Sequence, residues 1–550
     1  MPTVTYVRPE SYGADPTSSS VDSGPGLQDA FDAAATQKAE VWLSGGTYLT
    51  AQALTVPAGV RVVGQNPGTT VIAGMLTSGQ FTGDRLLDVG SGVWLEGFTV
   101  DGAAAAAKLL FGVHAQNVSG VTVRNCVVKR AQKQFGAQVW LLGCTSSVVE
   151  DCEVSDGERG VAVKGACADV RVSGCRAHTL SKFGILVESV GTGASVRTTV
   201  EGCQVWNIVD NSSDTPKAKH PIYFGTTTSG SPPVADRYHE DARIVGNRVY
   251  GNHQASYFGA GTADNIAVYQ CRGAVVANNH SFFGGDLGIS VDYSEHCVVV
   301  GNACGVNDTD GIGIYRSSDC VVSANVSYNN GRDWDGQYRN ANPPRLDMAG
   351  ILVTESHDTV VTGNRCWEDG SDAPPTSAGK QRYGVTVTAS STGTLVSDNH
   401  LQGNDAGALS TAAGQWVGSQ YDGTGFRFDA GIRLGTDVLI SRLGVGVTRV
   451  SGYLCAGDAA AGWGGSLNAK ANSDLSLGAV IRGFSATQSA DLLSVESHDG
   501  AQQYLRVAPG KLGFFGKAPA VQPSVSTTGT ADDKVDGVIT ALRSLGLIAP

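Results

Sequence analysis

The sequence is short of charge. Asp, Glu, Lys and Arg make up 16% of its 550 residues, against about a quarter in an ordinary globular chain. What charge there is leans acidic, 51 carboxylates to 39 cations, and an excess of that sign repels phosphate backbones and excludes a general nucleic-acid binder. No run approaches the ~18–20 apolar residues that a membrane helix needs. The opening Met1-Pro2-Thr3-Val4-Thr5-Tyr6-Val7-Arg8 has no cationic stretch followed by an apolar one, so no secretory leader is expected. Cysteine is sparse as well: the twelve form no convincing C-x-x-C pair, which argues against a disulfide scaffold or a zinc site, and reduced thiols fit a chain folded in a cytoplasm. Intrinsic disorder is excluded by the 41% of hydrophobic residues.

Glycine is abundant, at 73 residues, without the G-x-y period of collagen. Many short strands joined by tight turns would use it. A repeat gives those strands a register: an aliphatic residue, two small or polar ones, then Cys or Asn. Its anchors are Cys126, Cys152, Cys175, Cys203, Asn247, Asn279, Asn302, Asn325, Asn364 and Asn399. Subtraction gives spacings of 26, 23, 28, 44, 32, 23, 23, 39 and 35, a base period of 23 with insertions. Eight residues before the anchors stand Cys144, Cys167, Ser195, Cys271, Ser294, Ser317, Ser356 and Ser391, with the Cys126 and Asn247 repeats departing. Alternating stretches such as Gly288-Ile-Ser-Val and Gly311-Ile-Gly-Ile lie upstream. Two period-two strands recurring at this interval describe an all-β fold, a parallel β-helix of about ten or more coils, in which residues of equal register stack ~4.8 Å apart. The asparagines then form a buried ladder, and the cysteines before them fill the same slot as small apolar groups.

Leu27, Ala30, Phe31 and Ala34 repeat at helical spacing, a cap for the first coil. That stretch, with Ser11-Tyr-Gly-Ala-Asp-Pro-Thr17 and Gly45-Gly-Thr-Tyr48, resembles the start of pectate-lyase-like right-handed β-helix proteins, a group that includes many bacteriophage tailspikes. The resemblance covers roughly residues 10–410 and is more specific for fold than for activity. Beyond Asp474, Val480–Val495, Tyr504-Leu-Arg-Val507 and Lys511–Gly516 look like the carboxy-terminal β segments of phage tail fibres and minor tail proteins, which are usually intertwined trimers. Val535, Val538, Ile539, Leu542 and Leu545 make a seam too short for a lone helix, and a three-chain bundle would bury it. The expected organisation is an N-terminal cap (1–50), the β-helix (51–412), a β-rich domain (413–473) and a trimerisation segment ending in a short helix (474–550).

No nucleotide loop, zincin helix or G-x-S-x-G elbow is present. The residue four after each strand glycine points outward, giving the column Lys164, Glu188, Gly225, Tyr269, Asp292, Tyr315, Thr354 and Thr388. Asp264, Asp286 and Asp310 stand just before successive strands. With Tyr269, Tyr315 and Arg316 these acids form the most concentrated acidic and aromatic patch. Glycosidic hydrolysis needs a protonated carboxyl beside a carboxylate, and the expected pair is Asp286 and Asp310, with Asp264 or Asp292 as substitute. Asp before Gly is also ordinary turn chemistry. Calcium on Asp264, Asp286 and Asp310 is the alternative that the resemblance to pectate lyases implies; otherwise no cofactor is expected. Glu188, His220, Arg332, Trp334 and Tyr338 are candidate glycan contacts, the last three in an insertion where loops carry specificity.

Together these readings imply a tailspike or minor tail protein, made in the host cytoplasm and carried on the virion tail. It would act outside the cell as a homotrimer, among other tail proteins, on a bacterial surface polysaccharide. A non-enzymatic adhesin and a polysaccharide lyase are the rival readings.

Overall fold

The computed structural model describes residues 5–411, except 76–81, 104–108, 192, 209–219, 226–236, 252–263, 333–347 and 371–379; it also describes short stretches between 415 and 521, residues 528–544 and residue 547. The chain divides into two compact units, Met1–Ala430 and Gly431–Pro550. The first is a parallel β-helix. One coil shows the plan: Ile289–Asp292 lies on face A, Val298–Val300 on face B and Ala303–Gly305 on face C. The next coil repeats it with Ile312–Tyr315, Val321–Ser323 and Val326–Tyr328, each strand paired in parallel with its predecessor.

Stacking is locked at the corner between faces B and C. The side-chain amide of Asn247 donates to Asn279 Oδ1 at 3.0 Å, Asn279 to Asn302 at 2.9 Å, Asn302 to Asn325 at 2.9 Å, and so on through Asn364 to Asn399. Each Oδ1 also accepts the backbone N–H of the preceding asparagine, as Asn302 does from Asn279. Each amide nitrogen has a further backbone acceptor, Val276 in the case of Asn302. All six asparagines are buried, and a buried amide left unmatched would cost about 1–3 kcal/mol.

A second ladder runs between faces A and B, where Cys271 N–H donates to Ser294 Oγ, Ser294 to Ser317 and Ser317 to Ser356. The Asn247 coil, irregular in sequence, belongs to it: His239 pairs in register with Cys271, and its Nδ1 accepts the Ser195 N–H at 3.2 Å. A third, which the repeat did not reveal, runs through Asn307, Asn330, Gln381 and Asn404 between faces C and A. The eleven described cysteines are free thiols buried inside the coils, several lying against backbone carbonyls, as Cys152 Sγ does against Val123 O.

The amino end closes as its motif implies. The helix Gly24–Gln37 (α1) buries Leu27, Ala30, Phe31 and Ala34. Gly46 holds φ at +132°, and a Cβ there would stand 2.3 Å from the Pro16 carbonyl. Only glycine lets the two halves of the opening motif meet. At Gly311 a Cβ would stand 2.7 Å from the Gly350 carbonyl oxygen and against Ser327 Oγ.

The second unit is antiparallel where described: Ile432–Leu434, Val438–Gly444 and Val447–Ser451 form one sheet, and four strands between Leu493 and Val521 another. The helix Ala531–Ser544 (α2) is capped by Thr530, whose Oγ1 accepts the Asp533 N–H while Asp533 Oδ2 accepts the Thr530 N–H, a reciprocal cap. Val535 and Val538 on α2 are 55% and 44% exposed.

The asparagine column supplies a direct test. Asn302→Ala strips partners from Asn279 and Asn325 together, so the unfolding free energy from chemical denaturation is expected to fall by about 2–5 kcal/mol. A loss below about 0.5 kcal/mol would mean that the column does not hold the coils.

Candidate functional site on face A

Three outward columns on face A position the chemistry. Lys164, Glu188 and Gly225 lead by strand pairing to Tyr269, Asp292, Tyr315 and Thr354. Beside them run Trp140, Ala162, Leu186, Tyr223, Ala267 and Ser290. At the strand entry, Phe183 pairs with His220, and the same register continues through Asp264, Leu287 and Asp310 to Ala349. Asp264 and Asp310 therefore share a column with Leu287 between them. Asp286 stands one residue to the side, three before Ile289, where Asp264 and Asp310 stand two before Ile266 and Ile312.

The acids differ in their surroundings. Asp264 Oδ1 accepts the Leu287 N–H at 3.2 Å and its Oδ2 accepts the Ser290 hydroxyl at 2.9 Å. Asp286 Oδ1 accepts Thr309 Oγ1–H at 2.6 Å. Asp310 is fully buried and its Oδ1 accepts the Ala349 N–H at 2.7 Å. These bonds suit carboxylates. Asp292 is the exception, because its buried Oδ1 has no hydrogen-bond partner. Burial first, and then the charges of Asp264 and Asp286, push its pKa well above the usual carboxyl range, against a small opposing pull from Arg316. Burial and these two neighbours thus favour the protonated form of Asp292.

His220 lies against the same group. Its Nδ1 is 3.2 Å from the Asp264 carbonyl and 3.8 Å from Asp264 Oδ2. The ring stacks on Tyr223 at 5.1 Å. Burial lowers its pKa to about 4, so it is neutral at physiological pH. Tyr269 and Tyr315 flank Asp292 one coil to either side, and burial raises Tyr269 to about 12. Tyr223, which the repeat did not single out, faces this group too; its signal was its place two residues before Gly225.

The remaining candidates separate. Glu188 is buried in an ion pair with Lys164, whose ammonium sits 4.7 Å over Trp140. Arg316 is on the rim, paired with Glu355 at 2.7 Å and packed over Tyr293. Arg332 requires a correction. It is fully buried, with its guanidinium 3.2 Å from Glu368 Oε2, and holds the fold rather than a ligand. Trp334 and Tyr338 lie outside the described residues. Asp310, with no exposed surface, also yields its place in the expected acid pair to Asp292. Among the described residues no three His, Cys, Asp or Glu side chains converge to hold a metal ion.

With the geometry in hand, comparison with known proteins is informative about fold. The family model for right-handed β-helix regions matches residues 87–228. The chain carries a right-handed parallel β-helix. The model for periplasmic copper-binding protein (NosD) matches residues 202–416, where the described cysteines are buried free thiols. No curated protein matches. Among solved structures, the A-module of mannuronan C-5 epimerase AlgE6 from Azotobacter vinelandii is 16% identical, with TM-score 0.48, over 75% of this chain and 99% of its own. The Dettilon tailspike is 15% identical, with TM-score 0.48, over 74% and 68%. The surface adhesin PfbA of Streptococcus pneumoniae is 13% identical, with TM-score 0.45, over 82% and 100%.

The raised Asp292 pKa has a consequence for stability. A carboxyl whose folded pKa lies above its unfolded value, about 3.9, costs nothing below that value, and the folded state loses stability as pH rises through the folded pKa. Asp292→Asn is therefore expected to stabilise the protein increasingly as pH rises above about 4, read from denaturation midpoints. A difference from wild type that stays flat across this range would show that Asp292 titrates normally.

Proposed function

We propose that the protein binds a bacterial surface polysaccharide along face A and hydrolyses its glycosidic bonds. The observation that carries this reading is Asp292, whose buried Oδ1 has no hydrogen-bond partner, between Tyr269 and Tyr315, with Asp264 and Asp286 beside it. Asp292 would give its proton to the glycosidic oxygen as the bond to the anomeric carbon breaks. Asp264 or Asp286 would act on that carbon directly or remove a proton from the attacking water. The tyrosines supply ring faces and hydroxyls for sugar, and the stacked coils make a rigid wall long enough for a polymer.

The opening motif and the tail-fibre-like carboxy-terminal segments support a place on a phage tail as a homotrimeric receptor-binding protein, acting at the host surface. No described helix is long and apolar enough to cross a membrane.

Incubation with capsular and cell-wall glycans should release reducing ends, and Asp292→Asn should lower kcat about 10²–10⁴-fold. The alkaline limb of the pH–rate profile should report the raised Asp292 pKa. Ultraviolet absorbance from an unsaturated sugar would indicate a lyase instead, and glycan binding without new ends an adhesin. Undiminished activity in Asp292→Asn would overturn the acid assignment.

A further inference from the structure

Outward arginines of the early coils hold carboxylates. On face B, Arg61 bridges Glu40 and Glu96 at 3.0 and 2.9 Å, and Arg171 bridges Glu150 and Glu201 at 2.9 and 3.2 Å. On face C, Arg176 holds Glu153 at 2.7 Å. One coil later face C changes. Its strands Gln204–Ile208, Arg248–Tyr250, His280–Phe282, Ala303–Gly305, Val326–Tyr328, Arg365–Trp367 and Asn399–Gln402 contain neither Asp nor Glu. Arg248 and Arg365 are exposed, and among the described residues no carboxylate pairs with either. They share one outward column, four coil steps or ~19 Å apart. The exposed His280 stands in the same column.

Beside that column runs a row of rings. Trp206, Tyr250, Phe282, Tyr328 and Trp367 occupy one register, and all five are part-exposed. Gly305 stands between Phe282 and Tyr328, so that their rings meet at 6.0 Å. Trp206 and Tyr250 stack at 5.9 Å with planes 9° apart, and Tyr328 and Trp367 at 4.8 Å with planes 7° apart. The guanidinium of Arg248 lies 5.0 Å from the Tyr250 centroid, and that of Arg365 4.6 Å from the Trp367 centroid. Ring faces are thus turned on one another or on the arginines, and the row presents edges outward. An aromatic ring is negative on its faces and positive at its edge. The faces suit the guanidiniums, and the edges draw an anion.

We infer that face C, from Trp206 to Trp367, binds an acidic polysaccharide, whose anionic groups pair with Arg248 and Arg365 while the chain lies along the ring edges. Charge selects this occupant. The protein has a formal net charge of −12 and groups Asp264, Asp286, Asp292 and Asp310 on face A, so an anionic chain is repelled there. Two guanidiniums without acids are where it is held, and a guanidinium takes a carboxylate through two parallel hydrogen bonds. Single-stranded nucleic acid fits less well, because its bases need free ring faces to stack on and here the faces are taken. The surface is on a different face from Asp292 and does not rest on the cleavage proposed there. It gives grip on the polymer without chemistry.

The test titrates the full chain with carboxymethyl-dextran, polygalacturonate, plain dextran and oligothymidylate. The two carboxylated polymers should bind, more weakly as salt rises, and plain dextran should not. Arg248→Gln/Arg365→Gln, checked for folding by circular dichroism, should raise the Kd for the carboxylated polymers at least about tenfold. Arg248→Lys/Arg365→Lys keeps the charge but not the paired hydrogen bonds, and should fall between the two. An unchanged Kd in the glutamine pair would overturn the inference, as would equal binding of plain dextran or tighter binding of oligothymidylate. Release of reducing ends, measured on the same variants, reports the hydrolase reading separately.

Discussion

Everything in the first unit depends on residues one coil apart lying directly above one another, and the buried amide column enforces this. Each asparagine gives its nitrogen protons to the next asparagine and to a backbone carbonyl of an earlier coil, as Asn302 does to Asn325 and Val276. A slip of one residue would strand these polar groups in the interior and turn every valine of the strand outward. The column tolerates spacings of 39 and 44 as readily as 23, because insertions leave at the turns and return to the same slot. Loop length costs only slowly rising closure entropy, whereas register is nearly all or none.

This explains what could be read from the text. The asparagine, cysteine and serine columns were legible because one chemical type recurs at one offset, and the outward column from Lys164 to Thr354 followed by counting. His239 was not legible as a rung because an imidazole makes the bond that serine makes elsewhere, and a pattern of residue types cannot see equivalence of acceptors. The offset of Asp286 was legible by counting, since it stands three residues before Ile289 where Asp264 and Asp310 stand two before Ile266 and Ile312. Arg332 was misread because its partner, Glu368, is 36 residues later, and a buried pair of this kind looks like a polar loop when only one end is in view.

Inside the coils nearly every polar group of the ladders is matched, as buried groups in native proteins are. Two departures lie on the outside. Asp292 keeps an oxygen without a partner in a wall where Asp264, Asp286 and Asp310 all have theirs, and core stability gains nothing from it. Local rules broken without structural benefit mark function more often than accident. Arg248 and Arg365 are the second departure, exposed cations without a carboxylate where Arg61 and Arg171 each hold two. Exposed ion pairs contribute little to stability, so leaving these two unpaired costs the fold little and keeps their guanidiniums open to a ligand.

The two surfaces share their central turns. Asp292 and Tyr315 stand on face A of the coils whose face C carries Gly305 and Tyr328, and these are the coils where the anchors Asn279, Asn302 and Asn325 follow at 23 residues with no insertion. An insertion on one face displaces nothing in register but projects over its neighbours, which two extended binding surfaces can least accommodate. Both faces nonetheless continue beyond these coils, face C back to Arg248 and on to Trp367 and the face A group back to Asp264 and His220, because the insertions leave at the turns while the strands keep their register.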